Sequence, residues 1–235
     1  MDRYGQWLSA EKNWIGGYCN KVKLMSILKV IPATVIILAL LFGGLAAAGS
    51  GMSAGSIIEG ALGGLFIGVF VCVIYIAILF PLLSPKRYIK SIDRTVSKMG
   101  LDGFSKELLA KEFLEAENNL EKTFYFDMKG PGSKNTPARF VVSEHFAMLE
   151  GGSPYAIIVK LQDIKDIIPS QEKKSAIRRS GNIATTYFFT LYTIQFYRYD
   201  RAQKGLSEKD LPDEAMGFMD KEIRDRAMSL LEKYK

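Results

Sequence analysis

The chain has 235 residues, 48% of them hydrophobic, and a net charge of +6, which leaves room for membrane segments and one folded domain behind them. Two cysteines, Cys19 and Cys72, exclude a disulfide framework, and the single histidine, His145, means that a metal centre would need carboxylates or thiolates. The sequence shows no cluster of either, no Gly-rich phosphate loop after a strand, no Gly-x-Ser-x-Gly elbow and no His-Glu-x-x-His. No catalytic residue, cofactor or metal is therefore expected.

Residues 1–26 read as an interfacial amphipathic segment. Trp7, Glu11, Trp14, Tyr18, Val22 and Met25 fall at three- and four-residue spacing, a stripe that is apolar except for Glu11. Trp7, Trp14 and Tyr18 suit the headgroup level of a bilayer, with Lys12, Lys21 and Lys23 facing anionic lipid. Gly16-Gly17 predicts a break in the helix.

Residues 27–83 hold two apolar runs, Ile27–Ala48 and Ile57–Leu83, joined by the polar link Gly49–Ser56. Each is long enough for the roughly 20 residues that cross a bilayer core. Lysine and arginine cluster before the first run (Arg3, Lys12, Lys21, Lys23, Lys29) and after the second (Lys86, Arg87, Lys90, Arg94, Lys98), with none in the link. The positive-inside rule predicts an integral protein of the plasma membrane with both termini cytoplasmic. Ala46-Ala47-Ala48 looks like a signal-peptidase site, but the apolar run exceeds the usual 7–15 residues and a second run follows, so an anchor is expected. Gly60, Gly64 and Gly68 place small residues on one face of the second run, a helix-packing surface for the first run or for a second copy. Glu59 sits in the first turn of its helix, where a negative charge is favourable.

Residues 84–122 read as two juxtamembrane helices. Lys86–Met99 is basic, with Tyr88, Ile92, Val96 and Met99 on one side, and Lys86 and Arg87 complete the interface anchors. Ser105–Lys122 carries Leu108, Leu109, Phe113, Leu114 and Leu120 opposite a charged face.

From residue 123 to 235 the period changes from helical to alternating. Strands are predicted at Thr123–Met128, Arg139–Val142, His145–Glu150 and Ala156–Leu161, an extended stretch at Ile164–Pro169, and one or two strands at Ile183–Tyr199. Asp200–Asp213 reads as a polar connection, and Glu214–Tyr234 as a closing amphipathic helix. The fold class is α+β: a two-helix hairpin, then a sheet domain closed by one helix.

Arg139–Glu150, followed by the apolar strand that leads into Leu161-Gln162-Asp163-Ile164, resembles bacterial pleckstrin-homology-like domains attached to membrane hairpins. The resemblance covers about Thr123–Lys235 and implies a bent, partly open barrel of about seven strands, one end plugged by the last helix. In eukaryotic pleckstrin-homology domains the first strand–loop–strand binds phosphoinositide headgroups, so Lys129, Lys134 and Arg139 are headgroup candidates by that resemblance. Lys173, Lys174, Arg178 and Arg179 form a second basic group. The expected role is a non-catalytic scaffold or regulator of a membrane-associated protein. Anionic-lipid sensing and an accessory subunit of a transporter or membrane enzyme are the alternatives. Membrane lipid and a protein partner or second copy are the expected partners, and nucleic acid is not.

Overall fold

A computed structural model describes residues 2–50, 53–128, 136–151, 156–180, 183–205 and 211–234, with the side chains at 50, 178–180, 183, 202 and 203 outside that description. The elements run α1 (Arg3–Met25), a π-helical turn (Ser26–Val30), α2 (Ile31–Ser50), α3 (Ala54–Leu82), α4 (Pro85–Lys98) and α5 (Gly103–Glu117). Strands β1 (Thr123–Met128), β2 (Thr136–Val142), β3 (Phe146–Gly151), β4 (Ala156–Lys160), β5 (Ile164–Ser180), β6 (Ile183–Arg198) and β7 (Glu214–Phe218) follow, and α6 (Lys221–Tyr234) closes the chain. Two compact units result, one of Lys12–Arg87 and one of Met1–Glu11 with Tyr88–Lys235.

In the first unit α2 and α3 pack along each other. Both are long and apolar enough to cross a membrane. The glycine row explains the approach. A β-carbon at Gly64 would lie 2.4 Å from the Leu38 carbonyl oxygen and 2.9 Å from the Ala39 α-carbon; one at Gly60 would meet the Phe42 oxygen at 2.6 Å. Gly68 sits against the Val35 α-carbon in the same way, at 3.0 Å. These are backbone atoms, so only glycine lets the helices come this close. Gly16 and Gly17 do not interrupt α1, which runs on to Met25. The irregularity comes instead at the π-helical turn, where the Ser26 hydroxyl donates to the Val22 carbonyl at 2.9 Å and meets the Tyr75 hydroxyl at 3.2 Å.

The second unit is built on two antiparallel sheets, β1-β2-β3-β4 and β5-β6-β7. The described residues form no closed barrel. Phe140, Val142, Ala147 and Leu149 alternate onto one face of the first sheet and share a core with Ile194 and Phe196 of β6, Met216 and Phe218 of β7, and Ala227 and Leu231 of α6. The rings of Phe124, Phe140 and Phe218 carry that contact, with centroids 5.7 Å apart for Phe124–Phe140 and 6.4 Å for Phe140–Phe218. The opposite face of β2 and β3 is covered too, which is why neither strand exposes an alternating polar row. Trp7 of α1 packs on Phe113 of α5 (5.5 Å), and Phe113 on Phe146 of β3 (6.2 Å). Tyr88, Ile92 and Val96 of α4 are buried as their spacing predicts.

Two predicted boundaries are corrected. Glu214–Phe218 is a strand rather than the start of the closing helix: Gly217 weakens helix there, and the Asp220 carboxylate, accepting from the Glu222 N–H at 2.9 Å, caps the helix only from Lys221. The extended stretch does not stop at Pro169 but continues to Ser180. Proline is tolerated because β5 is an edge strand whose outer N–H groups have no ladder to serve.

Gly64→Leu is expected to cost about 2–3 kcal/mol by overpacking. Gly44→Ala, with nothing within 4 Å of the added carbon, is expected to be neutral. Thermal unfolding of both variants in detergent measures the difference.

Candidate functional site

Three of the charges on the helix-covered face of the first sheet are almost wholly buried. Arg139 on β2 is 1% exposed, as are Glu150 on β3 and Glu11 on α1. The β2–β3 register sets Arg139 directly opposite Glu150. The Arg139 guanidinium donates through Nε to Glu150 Oε1, through Nη2 to Glu11 Oε1, and through Nη1 to Glu117 Oε1 at 2.7 Å. Glu117 is the last residue of α5. The Tyr88 hydroxyl of α4 donates to Glu150 Oε2. Four elements thus meet at one guanidinium, and α4 joins the cluster through Glu150.

The cluster is short of positive charge. Taking ions out of water is tolerable only when they are closely paired, and one guanidinium faces three carboxylates. Burial, followed by the Glu150 charge, pushes the Glu11 carboxyl well above the ordinary carboxylate range, against the smaller opposing pull of Arg139. Burial and Glu150 likewise push the Tyr88 hydroxyl up. The arrangement suits a neutral carboxyl at Glu11. Its hydrogen bonds run between the elements it joins, which is the chemistry of a clamp.

A second group surrounds His145. Its Nδ1 hydrogen-bonds Glu112 Oε1 of α5, and its backbone N–H donates to Glu112 Oε2 at 3.1 Å. With Glu144 these residues offer three ligand atoms within 4.8 Å of one another, a mixed nitrogen–oxygen set that sequence reasoning did not assemble. The direct histidine–carboxylate bond accounts for the approach of that pair. Surface depressions lie elsewhere among the described residues. One of about 260 Å³ is lined by Phe126, Met128, Phe218 and Ile223 among others; one of about 330 Å³ is lined by Ile167, Ile168, Met228 and Leu231 with Asp166 and Glu232. The ionisable groups in these linings are carboxylates, Asp127 and Asp220 in the first and Asp166 and Glu232 in the second.

The predicted site residues are dispersed. Arg139 is no headgroup ligand, because its guanidinium is enclosed by three glutamates. Trp7 is no lipid anchor: it is 0% exposed and packed at a tilt against Phe113. Both miss for one reason, a protein surface that covers them from far along the chain. Trp14 and Tyr18 are half-buried, and Lys86 and Arg87 are exposed. Lys129 and Lys134 lie outside the described residues, as do the side chains of Arg178 and Arg179. Lys173 and Lys174 are exposed, but as neighbours on a strand they point to opposite faces and make no single patch. The sequence did hold a signal for the buried cluster: Glu11 interrupts an apolar stripe, and Arg139 and Glu150 interrupt apolar strands.

Comparison with protein-family models, with curated protein sequences and with solved structures finds no match.

Arg139→Met leaves the carboxylates without their counter-charge and is expected to cost about 3–5 kcal/mol, measured by denaturant unfolding. Glu11 has the opposite pH signature from an ordinary paired carboxylate. The folded chain keeps a proton that the unfolded chain releases in the ordinary carboxylate range. Stability is therefore fully present below that range and declines as pH rises through it towards the raised folded value. Glu11→Gln is expected to flatten that decline, read as unfolding midpoint against pH.

Proposed function

We propose that the chain is a membrane-anchored, non-catalytic interaction module that scaffolds or regulates a membrane-associated protein partner. The observation that carries this reading is the outward surface of α2 and α3. Large apolar side chains stand open there, Leu40 71% and Phe66 76% exposed among many, while the inward glycine faces are packed. Such a surface is unfavourable in water and natural in lipid. The basic residues before α2 and after α3 support a cytoplasmic location for both termini.

A pleckstrin-homology-like second unit is the reading that fits its build: among the described residues, seven strands in sheets of four and three, and a closing helix packed into the shared core. The non-catalytic assignment is supported by the polar chemistry of that unit, whose most deeply buried charges, Arg139, Glu11 and Glu150, are bound to one another rather than presented in a cleft. Folds host many functions, so the partner has to be found by experiment.

The full-length chain is expected to stay with the membrane pellet through alkaline carbonate extraction, and fusions at either terminus to report a cytoplasmic location. Purified in mild detergent, it is expected to carry a protein partner in fixed stoichiometry. Release by carbonate overturns the anchor, and a chain that runs alone overturns the partner.

A further inference from the structure

Strands β5 and β6 pair continuously from Ile164 and Arg198 to Ser180 and Ile183, but β7 covers β6 only from Tyr192 to Phe196. Beyond Tyr192 the hairpin runs on as a two-stranded ribbon with no third strand among the described residues. Nine residues of β5, Glu172–Ser180, lie in it, an arm of about 30 Å at strand rise. A lone two-stranded ribbon is marginal in water.

The arm is apolar on both faces. Directly paired residues share a face in an antiparallel ladder. Ser175 and Phe188 therefore lie with Ile177 on one face, and Lys174 and Phe189 with Tyr187 on the other. Phe188 is 84% and Ile177 65% exposed; Tyr187 and Phe189 are half-buried. The arm is also cationic. Between Ser170 and Thr190 the sequence holds four basic residues and one acidic residue, Glu172, giving +3. Glu172 pairs with Lys174 at 2.5 Å, both well exposed, and a pair so open to water leaves the net charge to act.

We propose that this arm beds its aromatic midsection, Tyr187-Phe188-Phe189, in the headgroup layer of an anionic bilayer. A protein groove covers one face of a ribbon, whereas consecutive Tyr187-Phe188-Phe189 present aromatic surface on both, and a lipid interface surrounds what enters it. Aromatic side chains favour that depth, and lysine on either face meets anionic headgroups all round. The inference rests on the anchor reading above, since it gives the chain a bilayer to meet, but it is tested separately.

The probe is Phe188→Trp in the full-length chain, reconstituted in nanodiscs of phosphatidylcholine alone or mixed with phosphatidylglycerol, with emission taken as the difference from the parent chain. Lipids brominated near the headgroup are expected to quench the introduced indole at least about twofold more strongly in the anionic discs, in keeping with surface-charge attraction, and Lys173→Glu with Lys174→Glu to remove the difference. Solvent-like, unquenched emission in both discs overturns the proposal and returns the arm to a protein occupant. Equal quenching in both, unmoved by charge reversal, overturns it as well. If carbonate releases the chain, the anchor reading fails, and quenching of the same variant by added vesicles of the two compositions decides the arm on its own.

Discussion

A buried guanidinium needs counter-charge within hydrogen-bond reach, and Arg139 collects it from segments that have nothing else in common. Glu150 comes from the neighbouring strand, Glu117 from the end of α5 and Glu11 from the first turns of α1. Because the site is nearly dry, each bond is strong only while the rest exclude water. The start of α1 and the end of α5 are thereby held on the outer face of the first sheet, with α4 tied in through Tyr88 and Glu150, and that cover is what lets β2 and β3 be apolar on both sides. The inner face then meets the second sheet and α6 through Phe140 and Phe218.

The helical unit is governed by a different constraint. Lipid gives two apolar helices no hydrophobic reason to associate, so closeness has to come from shape. Gly60, Gly64 and Gly68 provide it by removing the side chains that would otherwise meet the α2 backbone. One unit is held by charge in a dry interior and the other by the absence of side chains. Neither feature depends on the other's chemistry.

Local pattern was enough for elements whose stabilising partners lie close in sequence or follow from period alone. Thr123–Met128 alternates and is a strand; Tyr88, Ile92 and Val96 recur at four-residue spacing and are the buried stripe of α4; the glycine row faces its neighbour helix. Reading failed where a distant segment decided the outcome. Trp7 has the look of an interface tryptophan until Phe113 covers it. Arg139 has the look of a surface base until three glutamates surround it. Glu214–Phe218 carries helical spacing in Met216 and Met219, yet pairing with β6 makes it a strand. Lys173 and Lys174 form a group on paper, and the two-residue period of a strand separates them.

The tie between Glu11 and Arg139 spans 128 residues of sequence. A chain made from its amino end produces Trp7 and Glu11 first, then the whole apolar hairpin, and only much later the strand that receives them. Contacts of such separation are slow to form, because a long loop must close before they stabilise anything. The opening helix thus waits, with its acid in water and ionised, until β2 and β3 exist. Completing the fold then means drawing that carboxylate out of solvent and giving it a proton, so assembly of this unit consumes acid at its last step.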